Sequence, residues 1–484
     1  MLALSHATAR RLCIRPAIAF TRRCPLASAN FSSRSNTEED VSSADAAREY
    51  TNQSMPDSQF NFMRDILAAP SPVGLEASMT RGVIEDHFVS LKKKHTLEDW
   101  KLRTFQGNAG VVWESSPREG SDDKLNVMVI GHADKIRMQV RSIGKDGKIW
   151  INTDSFLPMT LLGNEVQIFS ATPETIGSSD VAYRSFNATA EAVGAIHFAP
   201  AAVRNGKGGL KDSEIYLELG LHGKDRQKQV EELGIRVGDP VLLNRPIQRC
   251  VAPNTFSGAY LDNGLGCFVT AEVARLIAER NPELASKVNC QFAFSSHEEI
   301  GRYGSRICVA ECKPDVLIAV DVNHDYEAAP RVSSSKFQPL TMGLGMTLSV
   351  GSIVSFALNN IVEHAASKRG IPVQLDARGR DTGTDGMAGV FGNIDCAATS
   401  VGFPIRNMHT ISELGHTGDL IACIEAMYAN RSCALSTSFV FVALLGLVCC
   451  CSYGTIEDLA DGNVTKSDLQ NTHPRLDGAD AYQP

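Results

Sequence analysis

The stretch Leu125-Asn-Val-Met-Val-Ile-Gly-His132 is a short apolar run that ends directly in a histidine. Its length and its Val and Ile content are typical of a buried β-strand. Asp134 follows two residues after His132, and strand side chains repeat every two residues, so both side chains can face one site. A functional residue just past a buried strand is typical of the carboxyl edge of an α/β sheet, where ligands bind. The stretch therefore predicts an α/β fold with a site at that edge.

Other metal-seeking side chains follow apolar runs or lie in a Gly-rich turn. They are Asp321 after Val316–Val320, Glu298 and Glu299 after Asn289–Ser295, His409 after Val401–Met408, and Asp262 within Ser257–Gly266. A hydrolase with two divalent ions needs such a set: a carboxylate that bridges the ions, terminal His and acid ligands, and a spare carboxylate as base. We predict that His132, Asp262, Glu299, Asp321 and His409 bind metal. Of two neighbouring acids on an irregular turn, one binds metal while the other accepts a proton from water.

Each of these residues taken singly also fits an ordinary structural role, as a turn histidine, a helix cap or part of a solvated acidic loop. Asp325 is a weaker alternative to Asp321 as a ligand. Two histidines and three acids, most of them at the ends of apolar strands, favour a metal site over a set of unrelated structural residues.

Composition limits the class of protein. A chain of 484 residues is long enough for two domains, or for one large domain with an insertion. The chain is 43% hydrophobic and 21% charged, as is ordinary for a soluble enzyme, and its net charge of −8 argues against a nucleic-acid surface. The 13 cysteines include no CxxC pair, which indicates reduced thiols and an intracellular compartment.

Residues 141–250 differ in texture from the rest of the chain, because short β-like runs recur there between turn residues. Examples are Lys148–Asn152, Asn164–Phe169, Val193–Phe198, Glu214–Leu219 and Asp239–Asn244. That spacing predicts a small barrel or sandwich. We therefore predict a catalytic domain formed by residues 59–140 and 251–430, interrupted by an inserted β domain at 141–250.

The two ends of the chain are unusual. The first 37 residues hold six arginines and no acid, which predicts a transit peptide, for the mitochondrion before the plastid. The alternative is a basic leader without a targeting role and a cytoplasmic protein. We expect residues 38–58 to be disordered, because the segment is polar.

The C-terminal residues 431–484 contain the uninterrupted apolar or thiol run Phe439–Cys451. With residues 434–438 added, this run is borderline for a membrane-spanning helix. It is a weak membrane anchor, a buried element or sequence foreign to the fold. We expect the polar tail after Gly454 to be disordered.

The motifs together resemble the tetrahedral aminopeptidase family, the dinuclear metallopeptidases that include glutamyl and deblocking aminopeptidases. The matching stretches are Gly131–Asp134, Leu261–Asn263, His297–Gly301, Val320–Val322, Gly383–Asp385 and Pro404–His409, and Gly234–Pro240 is similar to the end of that family's inserted β domain. The resemblance covers residues 60–430. It implies a zinc-exopeptidase-like catalytic domain with an inserted small β-barrel domain.

The resemblance also implies roles for single residues. His132 and Asp321 would hold one metal ion, Glu299 and His409 the other, and Asp262 would bridge them. Glu298 matches the general base, and Asp134 the partner of His132. The chain departs from the family pattern at Lys135, where an acid is usual, at Gly264 and at Thr410. Lys135 beside the site bears on specificity and efficiency.

We therefore predict a metal-dependent aminopeptidase that releases N-terminal residues from short peptides through water activated by two divalent ions, zinc or cobalt. The resemblance implies a large homo-oligomer that encloses the sites. One alternative is an amidohydrolase or deacylase acting on N-acylated small molecules. Another is a non-catalytic, metal-stabilised assembly subunit. The C-terminal apolar segment adds membrane contact as a further expectation.

Overall fold

An eight-stranded sheet carries the residues of the predicted site, and a closed six-stranded barrel is inserted after its third strand in the chain. The computed structural model describes residues 37–115, 124–154, 156–176, 181–193, 195–196, 199–200, 210–327, 338–428, 455–460 and 469. Within that part, the residues from Ser43 onward belong to one compact unit, and Thr37–Ser42 begin the first helix.

The strands in chain order are β1 (Lys101–Thr104), β2 (Gly110–Glu114), β3 (Asn126–His132), β4 (Met138–Ile143), β5 (Ile149–Asn152), β6 (Glu165–Ala171), β7 (Tyr183–Ala192), β8 (Ala195–Ile196), β9 (Ala199–Pro200), β10 (Ile215–Glu218), β11 (Pro240–Leu243), β12 (Gln248–Arg249), β13 (Thr255–Gly258), β14 (Asn289–Ser295), β15 (Val316–His324), β16 (Met346–Val350), β17 (Val373–Ala377), β18 (Ala397–Ile405) and β19 (Glu413–His416). The helices are α1 (Thr37–Thr51), α2 (Asp57–Ala68), α3 (Ile84–His95), α4 (Pro158–Leu161), α5 (Arg226–Glu232), α6 (Leu261–Arg280), α7 (Leu284–Lys287), α8 (Tyr303–Cys312), α9 (Phe356–Lys368), α10 (Ala388–Phe391), α11 (Thr417–Met427) and α12 (Thr455–Ala460).

The main sheet has the order β1-β2-β14-β3-β15-β18-β16-β17. Its four central strands, β14, β3, β15 and β18, are parallel to one another. Parallel strands end at the same edge of a sheet, so the residues that follow these four strands meet there. Four apolar runs of the sequence form this parallel centre, as expected for strands buried on both faces.

Helices cover both faces of the sheet. In β3, Val127 and Val129 pack into the core formed with α2, α3, α6, α9 and α11, whereas Met128 and Ile130 pack into a second core with α8 and α10. This alternation follows from the two-residue period of a strand. Each fully buried side chain of this size contributes roughly 1.5–3 kcal/mol. The result is a rigid three-layer frame under the site.

The inserted barrel has the order β10-β5-β4-β11-β6-β7 and a separate apolar core. It begins at Met138, earlier than the expected boundary at residue 141. Within the strand expected at Val193–Phe198, the described residues Ala195–Ile196 form β8, and the strand β7 lies where none was expected. The sequence of β7 hides it, because its buried positions Ala188, Ala190 and Ala192 are alanines rather than large apolar residues.

The expectation that residues 38–58 are disordered is wrong. Thr37–Thr51 form α1, and the described end of this segment is anchored, since Ala47, Thr51 and Met55 are buried. The Thr51 hydroxyl donates to the carbonyl of Gly343 at 2.7 Å. A polar helix that is marginal alone is stabilised here by packing on the folded body.

The tail after Gly454 is also partly ordered, contrary to expectation. Thr455–Ala460 form α12, with Ile456 and Leu459 in the main apolar core. The Thr455 hydroxyl donates to the carbonyl of Ala426 at 2.9 Å. The arginine-rich leader and the apolar run Phe439–Cys451 lie outside the described residues. Among the helices that the structure does describe, none is long and apolar enough to cross a membrane.

Candidate active site

The carboxyl ends of the four parallel strands bring most of the predicted site residues together. His132 is the last residue of β3 and pairs in register with Ser295, the last residue of β14, and the turn carrying Glu298 and Glu299 follows β14. Asp321 lies near the end of β15, and His409 follows β18. The apolar runs that these residues end or follow are the parallel strands at the centre of the sheet. The residues meet because those strands end at the same edge.

Asp262 reaches this edge from the first turn of α6, where its backbone is not helical. The neighbouring Asn263 fixes the turn, because its side chain donates to the carbonyl of Val320 at 2.7 Å and accepts from the amide of Gly266 at 2.8 Å. Gly266 is required there, since a Cβ atom would lie 2.4 Å from the Val320 oxygen. The Gly-rich stretch thus lets the helix start close against β15 and presents Asp262 to the site.

Two groups of side chains in the described part of the chain have the spacing of metal ligands. One contains His132, Asp262 and Asp321, and the other contains Asp262, Glu299 and His409, with ligand atoms within 4.8 Å of one another in each group. Asp262 belongs to both. Its Oδ1 lies 3.1 Å from Nε2 of His132, and its Oδ2 lies 3.0 Å from Nε2 of His409. One carboxylate therefore offers one oxygen to each group.

The donor set fits divalent metal ions. Imidazole nitrogens combined with carboxylate oxygens suit zinc and related first-row metals. Oε1 of Glu299 is buried and has no hydrogen-bond partner among the described residues. A buried carboxylate oxygen without a partner is costly, and a cation in the adjacent group would satisfy it.

The electrostatics of the set follow from several buried acids that lie close together. Burial raises the pKa of Glu298 to about 9 and, together with the charge of Asp262, raises the pKa of Glu299 well above its usual range. Burial does the same to Asp321. Burial opposes the charged form of His132, but its contacts with Asp134 and Asp262 outweigh burial and raise its pKa. Cations bound in the two groups would favour the ionised forms of these acids.

Asp262 is the exception among these acids. Burial favours its neutral form, but the hydrogen bonds with His132 and His409 outweigh burial and hold its pKa well below the usual range. It is therefore the carboxylate that stays ionised at the centre of the two groups.

Glu298 and Asp134 complete the site. Oε2 of Glu298 lies 3.8 Å from Nε2 of His132, close to the ligands but in neither group. Nδ1 of His132 lies 3.1 Å from the backbone oxygen of Asp134 and 3.6 Å from its carboxylate, so the nearer partner of the imidazole is the main chain rather than the expected side chain. The Asp134 carboxylate instead accepts the backbone N–H groups of Glu298 and Glu299, each at 3.1 Å.

Lys135 does not extend toward the ligands. Its ammonium donates to the carbonyls of Leu67 and Ala69, at 2.7 and 2.5 Å, and lies over the ring of Tyr260. Burial lowers its pKa to about 7. Lys135 therefore caps the carboxyl end of α2, where a cation is favoured. Its effect on specificity and efficiency stays a prediction.

The other departures from the family pattern also have local explanations. A Cβ at Gly264 would lie 2.5 Å from the side chain of Leu67, so α2 occupies the space that a larger residue would need. Thr410 lies in a tight turn, where its hydroxyl is 3.4 Å from the amide of Ser412. Neither Gly264 nor Thr410 belongs to the two ligand groups, so these departures leave the groups complete.

Other charged residues near the site have hydrogen-bond partners outside the two ligand groups. Asp385 is buried and accepts from the Ser295 hydroxyl at 2.5 Å. Arg406 donates to Asp325 at 2.5 Å and to Glu327 at 3.2 Å. Asp325 therefore pairs with the guanidinium of Arg406. Of the two acids considered as ligands, Asp321 is the one that lies in a ligand group.

Glu413 is a buried residue of the site that the sequence did not reveal. Its carboxylate accepts the amide of His409 at 2.8 Å and the amide of Leu261 at 2.6 Å. Burial, with the charge of Asp262, raises its pKa to about 8 even though these hydrogen bonds favour the ionised form. The one signal in the sequence for a role of Glu413 at the site is its position four residues after His409. That signal is weak, because a single acid at this spacing also fits a solvated loop.

The geometry can be compared with known proteins. A family model described as M42 glutamyl aminopeptidase matches residues 115–426, a range that includes the ligand sets, Glu298 and Glu413. The chain belongs to this family. The family resemblance drawn from the motifs is therefore confirmed, and the chain is a metal-dependent aminopeptidase. Membership in a metallopeptidase family implies divalent ions, in agreement with the two ligand groups.

One relative is similar to this chain in sequence, and two solved structures are similar to it in fold. Lysyl aminopeptidase of Pyrococcus furiosus is 28% identical over 362 residues, which are 75% of this chain and 93% of the relative. Aminopeptidase APDkam598 from Desulfurococcus kamchatkensis is 20% identical, with a TM-score of 0.63 over 87% of this chain and 99% of that chain. The Pyrococcus horikoshii TET1 peptidase, which can assemble into a tetrahedron or a large octahedral shell, is 16% identical, with a TM-score of 0.58 over 76% of this chain and 97% of that chain. The two solved structures confirm the predicted fold, a zinc-exopeptidase-like domain with an inserted barrel.

Proposed function

We propose that this M42 aminopeptidase binds two divalent ions and removes N-terminal residues from short peptides. His132 and Asp321 would hold one ion, Glu299 and His409 would hold the other, and Asp262 would bridge them. The observation that carries the proposal is the position of Asp262, whose two oxygens lie 3.1 and 3.0 Å from the two imidazoles. Mixed imidazole and carboxylate ligation favours zinc or cobalt.

Bound divalent ions would polarise the scissile carbonyl and make water more acidic. Glu298 is suited to accept the proton from the attacking water, because it lies beside His132 but outside both ligand groups. A base must stay unligated to accept a proton. The same carboxyl group would then deliver that proton to the departing amine of the shortened peptide. Asp134 would hold the turn that carries Glu298 in place through the two backbone hydrogen bonds.

Substrate size and assembly form a further part of the proposal. The structurally similar Pyrococcus horikoshii peptidase can assemble into a tetrahedron or a large octahedral shell, and we infer a large homo-oligomer for this chain as well. Sites inside such a shell would accept short peptides and exclude folded proteins. The arginine-rich, acid-free first 37 residues support a mitochondrial location, with the cytoplasm as the alternative.

The experiment is hydrolysis of a panel of aminoacyl-anilides by the whole chain, after chelation and after addition of zinc, cobalt or manganese. We expect metal to restore cleavage, and we expect Glu298→Gln to lower kcat by about 10²–10⁴-fold with metal binding retained. N-acetylated anilides, which lack the free amine, should remain uncleaved. Cleavage of the acetylated set alone would identify a deacylase. Metal binding without turnover on either set would identify a non-catalytic subunit.

A further inference from the structure

Glu413 lies between the two chain segments that carry His409 and Asp262. One carboxylate oxygen accepts the backbone N–H of His409 at 2.8 Å, and the other accepts the backbone N–H of Leu261, directly before Asp262, at 2.6 Å. The residue is 2% exposed. A single buried side chain therefore connects two segments that are far apart in the sequence and that supply two ligands of the same proposed ion.

Both segments have backbone conformations that need support. His409 has a φ of 61° and Tyr260, directly before Leu261, has a φ of 66°, in the left-handed region that non-glycine residues seldom adopt. Such residues cost about 1–3 kcal/mol each and persist when surrounding contacts hold them. The two hydrogen bonds to Glu413 are contacts of this kind.

The sheet places Glu413 where it can reach both amides. The ladder between β13 and β19 ends with the pair Gly258 and Glu413. Beyond that pair the two backbones separate, one toward Asp262 and the other back toward His409. Where the backbone pairing stops, the side chain of Glu413 joins the two segments through its hydrogen bonds to the amides of Leu261 and His409.

We infer that Glu413 is a positioning residue, which sets the separation of His409 from Asp262 and thereby forms the ligand group Asp262, Glu299 and His409. The inference rests on the proposed function, because it concerns one of the two proposed ion sites. Glu413 acts through the main chain and is in neither ligand group. Its loss should therefore weaken one group much more than the other.

The test uses the whole chain with Glu413→Gln, which replaces one of the two acceptor oxygens by a donor. Glu413→Asp, which keeps the charge but shortens the side chain, is the second variant. The matched control is Asp419→Asn, because Asp419 is also fully buried and also accepts two backbone amides, from Gly343 at 2.7 Å and Gly345 at 2.8 Å, in another part of the fold.

Cobalt(II) is titrated into the metal-free proteins, with calorimetry for the affinities and the visible absorption of cobalt for the ligand environment. His409→Ala and His132→Ala provide reference spectra for chains that lack a ligand of one group. In Glu413→Gln we expect one of the two cobalt ions to lose about 10–100-fold in affinity, as is typical for loss of an outer hydrogen-bond partner of a ligand. The other ion should change by less than about threefold, and the spectrum should resemble that of His409→Ala rather than that of His132→Ala.

Asp419→Asn should bind both ions with wild-type affinity, even if its unfolding temperature falls. Wild-type affinities in Glu413→Gln, or equal weakening of both ions, would overturn the inference. Failure of both Glu413 variants to fold while Asp419→Asn folds would also overturn it, because Glu413 would then serve the stability of the chain. A wild-type chain that binds fewer than two cobalt ions would instead refute the proposed function, so the two failures are distinguishable.

Discussion

The carboxylate of Asp134 accepts the backbone N–H of Glu298 at 3.1 Å. Its second oxygen accepts the next amide, that of Glu299, so one buried carboxylate holds the turn that carries both a proposed ion ligand and the proposed base. The loop that follows His132 and the turn after β14 are thereby fixed to each other. The arrangement of the site depends on such main-chain contacts as much as on the side chains of the two ligand groups.

We expect Asp134→Asn to lower metal affinity and kcat/KM by about 10–100-fold, because the amide nitrogen of asparagine would face one of the two backbone N–H groups. Calorimetric metal titration and anilide hydrolysis measure both effects. Asp239→Asn is the control, since Asp239 is a buried acid of the barrel that binds Ser170 and the amide of Arg236. Equal losses in the two variants would contradict a specific role for Asp134.

Metal affinity should rise with pH. In the metal-free chain, burial raises the pKa of Glu298 to about 9 and also raises the pKa values of Glu299 and Asp321. A carboxyl group with a raised folded pKa binds more protons in the folded chain than in the unfolded chain, so its contribution to stability is present at low pH and is lost as pH rises. Ions bind the ionised carboxylates and replace these protons.

We therefore expect the increase in Tm caused by a fixed concentration of zinc to grow from about pH 5.5 to about pH 7.5. Thermal unfolding with metal and with chelator at each pH measures this increment. The difference in Tm between the samples with metal and with chelator removes the contribution of acids away from the site. Asp419 is one such acid, since burial raises its pKa to about 8. An increment that is constant or falls over this range would show that protons and ions do not compete for these carboxylates.

Lys135→Met should lower the free energy of unfolding and leave the ranking of substrates unchanged. The substitution removes the two hydrogen bonds to the carbonyls of Leu67 and Ala69, and we expect a loss of about 1–3 kcal/mol. Denaturant unfolding and the anilide panel measure the two properties. Lys94→Met, at an exposed ion pair with Glu279, should change stability by less than about 0.5 kcal/mol. A changed preference for the N-terminal residue in Lys135→Met would mean that the ammonium acts on the substrate.

The C-terminal helix α12 should contribute to stability. Ile456 is 1% exposed and packs in the main core, so Ile456→Ala should lower the free energy of unfolding by about 2–5 kcal/mol. Denaturant unfolding measures the change, and Val251→Ala, at a fully exposed side chain, is the control. Equal stability of the two variants would show that residues after Gly454 do not belong to the folded body.

The sequence predicted an α/β sheet with a metal site at its carboxyl edge for one physical reason. Short apolar runs that end in an acid or a histidine, such as Leu125–His132 and Val316–Asp321, combine a strand signal with a chemical signal at the position where such sheets bind ligands. Asp262 was predictable from the Gly-rich turn around it, since glycines allow a helix to start close to a strand.

Features that depend on tertiary contacts were not predictable. The direction of the Lys135 side chain depends on where α2 ends, and the role of Glu413 depends on the pairing of β13 with β19. The strand β7 escaped prediction because alanines fill its buried positions, and α1 because its own sequence is polar. For Lys135, Glu413 and α1, a stabilising partner is distant in the sequence.

The most direct test of the two-ion account is the number of divalent ions bound per chain when hydrolysis is fully restored. The metal-free whole chain is titrated with zinc, and bound metal and anilide cleavage are measured on the same samples. The account predicts that activity reaches its maximum at two ions per chain, and that Asp262→Asn, which removes the shared carboxylate, weakens both. Full activity at one ion per chain, or activity that survives complete removal of metal, would contradict the account.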